Sequence, residues 1–435
     1  MGREMICSNL ETGANGHLFF DGADTAELAR EFGTPLYLID EDRVRANCRT
    51  FTDNIKKYFP EGSMPLYASK AASFKEIYRI VESEGFGFDV VSAGEILTAF
   101  MAGADLSNAF FHSNNKTDED IAFAIDHGVG CFVADGQDEV DAIARVAADK
   151  GAWQKILLRI TPGIDPHTYA AVSTGCVDSK FGTAIETGQA MELVAHTLEK
   201  ENLILQGFHC HVGSQVFGED VFERAAEVMI GFVAEVREKL GYTAEVLDLG
   251  GGFGVRYVES DPEADTAAKL RGMGEAIRRE SGRHGLKLKV LVEPGRAIVA
   301  DAGLTLYTCG AVKHIPGYKT YVSVDGGMPD NPRFALYRSK YTVLPADDME
   351  NPRHMVCTLA GRCCESGDVI AEKILLPEST KRGSLIAVCT TGAYNYSMAS
   401  NYNRIPRPPV VVLKGGEPRI AVRREPPGDL ILLDV

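Results

Sequence analysis

The sequence is short of positive charge. Its 45 lysines and arginines stand against 61 aspartates and glutamates, a formal net charge of −16 with a pI near 5.2. A chain of that balance does not grip a polyphosphate backbone, so nucleic-acid binding is excluded as the main activity, and the acidity serves solubility. Long apolar runs are also missing. No stretch is long enough to span a bilayer, and Met1-Gly-Arg-Glu-Met-Ile-Cys7 has neither the apolar core of a secretion signal nor the hydroxyl residue of a myristoylation site. The expectation is a cytoplasmic protein that does not contact membranes. Ten cysteines (Cys7, Cys48, Cys131, Cys176, Cys210, Cys309, Cys357, Cys363, Cys364 and Cys389) form no C-x-x-C pair and no zinc spacing, which predicts reduced thiols and no metal site. Signs of disorder or repeats are absent too. With 435 residues, 45% hydrophobic and 24% charged, the chain has a soluble globular composition and length enough for two domains.

What is present is an alternation. Residues 35–40 read as a strand, and apolar residues recur at helical spacing from Glu41 to Tyr58. From Pro65 onward, short apolar runs at 66–69, 88–91, 109–111, 130–134, 156–160, 205–209, 246–249 and 288–292 give eight strand candidates. Helix-like segments separate them at 74–84, 93–102, 118–127, 137–148, 189–199, 221–240 and 267–284. Eight such units, with continuous apolar runs suited to strands buried on both faces, predict an α/β fold, a closed (β/α)8 TIM-like barrel; a doubly wound sheet is the alternative. After Gly310 the apolar runs 321–324, 355–359, 384–388, 410–413 and 430–433 have no long helices between them, which predicts a mostly β C-terminal domain. The expected boundaries are 35–310 for the barrel and 1–34 plus 311–435 for the β-rich domain.

In a barrel of this kind the carboxyl ends of the strands carry the chemistry. Here those positions hold Lys70, Asp89, His112, Asp135, Arg159, His209 with His211, the Gly250, Gly251 and Gly252 run, and Glu293. Any one of them alone is unremarkable: a lone lysine is ordinarily a surface charge, and a histidine pair is as readily one packed and one exposed ring. A zinc site through His209 and His211 finds no recognisable third ligand. Asp248-Leu-Gly-Gly-Gly-Phe-Gly254 offers backbone amides to a phosphate but departs from G-x-G-x-x-G, because Val255 occupies the third glycine's place, so a dinucleotide site is disfavoured. A glycine cradle, a strand-end lysine, a stackable imidazole and the carboxylate of Glu293-Pro-Gly-Arg296 together compose a pyridoxal phosphate site. A carboxylate against the pyridine nitrogen suits decarboxylation, where an arginine would suit racemisation.

With those residues in place, the chain resembles the fold-type III pyridoxal phosphate decarboxylases, which share an alanine racemase-like architecture, and within them the branch acting on diaminopimelate. The resemblance runs over nearly the whole chain. It rests on Tyr67-Ala-Ser-Lys70, Asp89-Val-Val-Ser-Ala-Gly-Glu95, Ser173-Thr-Gly175, Ser179-Lys-Phe-Gly182, His209-Cys-His-Val-Gly-Ser-Gln215, the Asp248 glycine run and Glu293-Pro-Gly-Arg296. It continues through Val324-Asp-Gly-Gly-Met328, Arg333-Phe-Ala-Leu-Tyr337, Cys364-Glu-Ser-Gly-Asp368, Gly392-Ala-Tyr394 and Ser397-Met-Ala-Ser-Asn-Tyr-Asn403.

The resemblance implies that Lys70 carries pyridoxal 5'-phosphate, that Asp89 contributes to the cofactor site, that His211 packs on the ring, and that Glu293 pairs with its nitrogen. Ser214, the three glycines, Gly295, Arg296 and Tyr394 would hold the phosphate. Arg296, Arg333, Tyr337 and Tyr394 would bind the substrate, Glu365 would read its distal ammonium, and Cys364 would return a proton to the reacting carbon. The implied activity is conversion of meso-2,6-diaminopimelate to L-lysine and carbon dioxide, in a homodimer whose 364–368 loop enters the partner's site. Ornithine, arginine or carboxynorspermidine decarboxylation, a paralogue recruited to another pathway, a non-catalytic homologue and a racemase are the alternatives. The retained Lys70 and Cys364 speak against a non-catalytic homologue, and the Arg333-x-x-x-Tyr337 spacing and Glu365 favour diaminopimelate. Two places depart from the family pattern: Gly361-Arg-Cys-Cys-Glu-Ser366, with an added charge and thiol, and the segment His167-Thr-Tyr-Ala-Ala-Val-Ser-Thr174.

Overall fold

The computed structural model describes residues 5–164, 179–218 and 220–435. The Ser173-Thr-Gly175 motif, the divergent 167–174 segment and Cys176 lie outside the described residues. The chain forms two compact units: Ala46–Gly254 with Glu263–Ala297, and Met1–Arg45 with Val255–Pro262 and Ile298–Val435.

The first unit is the barrel. Its strands are β1 (Met64–Ala68), β2 (Gly87–Val90), β3 (Ala109–Phe111), β4 (Cys131–Ala134), β5 (Gln154–Thr161), β6 (Leu203–His209), β7 (Val246–Asp248) and β8 (Lys289–Val292). All are parallel, and β8 pairs back to β1 through Leu291 with Met64 and Val292 with Pro65, so the sheet closes. Closure removes any free edge. The interior is filled by Leu66, Cys131, Val133, Leu157, Val246 and Leu291, each worth roughly 1.5–3 kcal/mol where a large aliphatic chain is fully buried. Helix starts follow local signals: Ser92 caps Ala93–Ala102 by accepting from the Glu95 amide, Thr117 and Asp120 form a capping box, and Asp265 caps Thr266–His284. The eight predicted strands are the eight observed ones, give or take two residues at each end.

The second unit is mostly β. Its sheet runs in the order Val369–Pro377, Arg353–Ala360, Lys319–Val324, Gly303–Ile315, Leu36–Asp40, Val410–Lys414, Glu417–Val422, with Val343–Pro345 and Leu385–Cys389 branching from it. Leu18, Phe20, Leu36, Leu38, Leu304, Leu306, Val411 and Leu413 belong to its core. Strand Leu36–Asp40 pairs antiparallel with Gly303–Ile315 and parallel with Val410–Lys414, so both it and residues 303–310 belong to this unit. The unit boundaries therefore fall near 45 and 297, not at the expected 35 and 310. The apolar run 430–433 is no strand: Pro427–Ile431 is a 3-10 turn, and Leu432 and Leu433 are exposed.

Candidate active site

In the barrel unit the carboxyl ends of the strands gather one connected polar network. Lys70 stands in the turn after β1, with Nζ 3.4 Å from Asp89 Oδ2 at the end of β2. The other Asp89 oxygen lies 3.8 Å from His112 Nε2, just beyond β3. His112 is 2.8 Å from Glu293 Oε1, and His209, closing β6, is 3.4 Å from Glu293 Oε2. Glu293 is thus held from both sides. Burial works against its charge, but His112 and His209 outweigh that and keep the carboxylate well below its usual range. The neighbouring Asp248 goes the other way: burial and the Glu293 charge push it well above the carboxylate range, so it retains a proton beside the ionised Glu293.

One ligand atom from each of His112, His209, Asp248 and Glu293 lies within 4.8 Å of the others. A search of the sequence for a third ligand beside His209 and His211 does not find this grouping, because its four members come from the ends of four separate strands. His112 and Asp248 were visible as a strand end and as the head of the glycine run, but nothing in the sequence tied them to Glu293.

The glycine run after β7 is forced by close approach. Gly250 and Gly252 have φ +69° and +106°, and a Cβ on Gly251 would lie 2.0 Å from the Glu293 carbonyl oxygen. One on Gly252 would lie 2.0 Å from the Gly213 carbonyl oxygen. The Asp248 carboxylate accepts from the Gly250 amide at 2.9 Å, and His211 Nδ1 accepts from the Gly251 amide at 3.2 Å. Burial, helped by the Lys70 charge, pushes His211 well below its ordinary value, so the ring is neutral with its proton on Nε2. Arg296 reaches Ser214 Oγ at 3.1 Å. Asp135 and Arg159 meet at 3.9 Å, and the Arg159 guanidinium sits 4.5 Å from the Phe181 ring.

The β-rich unit holds a second set. Arg333 is 7% exposed, and its guanidinium lies 4.4 Å from the Tyr337 ring and 5.1 Å from the Tyr394 ring. Among the described residues no carboxylate lies within ion-pair distance of it. Of the five residues expected to bind substrate, Arg333, Tyr337 and Tyr394 cluster around one buried cation, while Arg296 meets Ser214 in the barrel unit. Cys364 and Glu365 are exposed on the 361–368 turn, and Glu365 folds back to accept from the Gly367 amide at 3.0 Å. In this state Glu365 makes no bond to the Arg333 cluster.

Burial pushes His209 down to about 4, below its unfolded value near 6.5. Between those values the unfolded chain binds more protons, so the parent's stability is lost as pH falls through that window, by about 3 kcal/mol at most. Glu293, depressed by the same contact, adds loss of the same sign. His209→Asn should therefore flatten the acid limb of the denaturation midpoint measured from pH 7 to pH 4; an identical slope would show that His209 titrates normally.

Comparisons with known proteins find relatives over nearly the whole chain. The family profile described as "Pyridoxal-dependent decarboxylase, pyridoxal binding domain" matches residues 41–300. The diaminopimelate decarboxylase of Bacillus subtilis is 41% identical over 425 residues, covering 97% of this chain and 96% of the relative. That of Staphylococcus aureus is 40% identical, covering 97% and 98%. Among solved structures, diaminopimelate decarboxylase from M. jannaschii with L-lysine superposes with a TM-score of 0.90 at 31% identity, over 99% of both chains. The Helicobacter pylori enzyme with L-lysine gives 0.85 at 30% identity, over 94% of this chain and 99% of that one.

Proposed function

The chain belongs to the pyridoxal-dependent decarboxylases, and among them to the diaminopimelate decarboxylases; from that premise we propose that it converts meso-2,6-diaminopimelate to L-lysine and carbon dioxide. The observation that carries the substrate is the buried, carboxylate-free Arg333 between two tyrosine rings. A desolvated guanidinium without an anion is costly, and a substrate with a second carboxylate supplies one in bidentate geometry. Ornithine and arginine carry no such group.

The cofactor is pyridoxal 5'-phosphate, and the barrel's strand ends fit it. Side-chain-free backbone at Gly250, Gly251 and Gly252, with Ser214, Gly295 and Arg296, would hold the phosphate; Lys70 would attach the cofactor and Asp89 would stand beside that amine. By the resemblance, Tyr394 would also hold the phosphate. When bound, the cofactor supplies an electron-poor ring that accepts the electron pair left behind by the departing carboxylate. Glu293 stays ionised because two imidazoles face it, which suits it to hold a proton on the pyridine nitrogen. His211, neutral and turned by the Gly251 amide, offers a flat face for the ring. Cys364 Sγ then delivers the proton that replaces the carboxylate, and Glu365 pairs with the distal ammonium.

We further propose a cytoplasmic homodimer in which the 364–368 loop of one protomer completes the site of the other. No helix among the described residues is long and apolar enough to cross a membrane. The test of the activity is stoichiometric: the purified holoenzyme should yield one lysine and one carbon dioxide per meso-diaminopimelate consumed. Consumption without lysine would sink the reading.

A further inference from the structure

The loop bearing Cys364 is fastened at two points that lie outside the cofactor and substrate residues. At its base, Asp368 is 4% exposed, and its carboxylate accepts from the Met328 amide at 2.6 Å and the Cys363 amide at 2.7 Å. Gly327 and Gly361 enclose that carboxylate so closely that a Cβ on either would come within 2.5 Å of an Asp368 oxygen. The backbone repeats the tie: the Gly361 amide donates to the Asp368 carbonyl and the Arg362 amide to the Gly326 carbonyl. At its tip, the Cys364 amide donates to Asn403 Oδ1 at 2.8 Å.

Asn403 is set for that bond at a cost. Its φ of +54° and ψ of +23° are left-handed, a conformation asparagine tolerates better than most residues. The preceding Asn401 holds the turn by donating to the Ile405 carbonyl and to Glu425. Arg404 beside it is left-handed as well, at φ +55°, and of the two it is Asn403 whose side chain meets the Cys364 amide.

We propose that Asp368 and Asn403 are positioning residues that set the place of the Cys364 thiol, Asp368 fixing the root of the loop and Asn403 its tip. The proposal rests on the reading of Cys364 as the proton source, which puts a premium on placement: a misplacement of about 1 Å can cost roughly a hundredfold in rate. It also gives the Ser397 to Asn403 motif a task. Cys363 joins the arrangement through its backbone amide, and its thiol also stands beside Asp368, where burial first and then that charge push it up.

The test uses the substrate-free holoenzyme and three variants. Asn403→Gly keeps the left-handed backbone and removes the acceptor; Asn403→Asp keeps both; Asp368→Asn weakens the root. Cys364 is the exposed thiol among the described cysteines, so iodoacetamide labelling followed by peptide mass analysis reads its position directly. Asn403→Gly and Asp368→Asn should change the Cys364 labelling rate at least about threefold and lower kcat about tenfold or more, with the cofactor absorbance unchanged. Asn403→Asp should stay within about threefold of the parent on both readouts. Parental labelling and turnover in Asn403→Gly would overturn the proposal. Parental turnover in Cys364→Ala would instead remove the thiol's role, a separate failure, because labelling reports loop position whatever the chemistry.

Discussion

Lys70→Ala should abolish the visible absorbance of the bound cofactor and lower turnover by at least about a thousandfold, some 4 kcal/mol of barrier, in one step. The physical basis is the turn after β1. It places a partly exposed ammonium 3.4 Å from Asp89 at the rim, whereas Lys116, also near the strand ends, is buried and bonded to Glu139 and to the Ser113 and Val133 carbonyls. The fold should survive, because Lys70 is the exposed member of a turn whose neighbours Ser69 and Ala71 are buried. Retained absorbance would assign the cofactor to another amine. The same variant tests the shared site: mixed with Cys364→Ala, also inactive alone, it should regain activity, since a mixed dimer carries one site with both residues intact. Absence of recovery in a proven mixed dimer would mean that each site is built from one chain.

Glu293→Gln should cost about 10²–10³ in kcat, the scale of removing one preorganised electrostatic partner. Its effect reaches further than one charge. Glu293 is the point at which His112, His209 and Asp248 converge, and a neutral amide would offer neither imidazole the negative charge that the carboxylate does. Asp248 would then lose the charge that holds its proton, while its other oxygen still orders Gly250. Cofactor affinity should therefore weaken along with kcat. A variant with parental kcat would show that the ring nitrogen needs no anion here.

The barrel was legible because strands buried on both faces read as apolar runs, and most of β1 to β8 do, with Lys155 and Arg159 interrupting β5 and Gln206 interrupting β6. The β-rich unit was legible only in part. Gly303–Ile315 is buried in its first half and exposed in its second, and Val369–Pro377 is interrupted by exposed Glu372 and by Lys373 at φ +54°, so neither presents a clean period. Leu36–Asp40 read correctly as a strand, but its sheet is decided by partners some 270 and 370 positions away, which local sequence does not encode. Leu430 to Leu433 carried the opposite error, an apolar run with no strand to pair it. At the site, Lys70 and Glu293 stood out as charges closing apolar runs. What holds them did not: the burial of Asp248 beside Glu293 and the approach of His112 exist only once separate strands meet.

The most direct measurement is kcat/KM for carbon dioxide release by one holoenzyme preparation on meso-diaminopimelate, L-ornithine, L-arginine and L-lysine. The account predicts release from meso-diaminopimelate, and a preference over the other three that collapses in Arg333→Ala because only that substrate brings a second carboxylate to the buried guanidinium. Comparable release from ornithine, arginine or lysine, or a preference unmoved by Arg333→Ala, would contradict it.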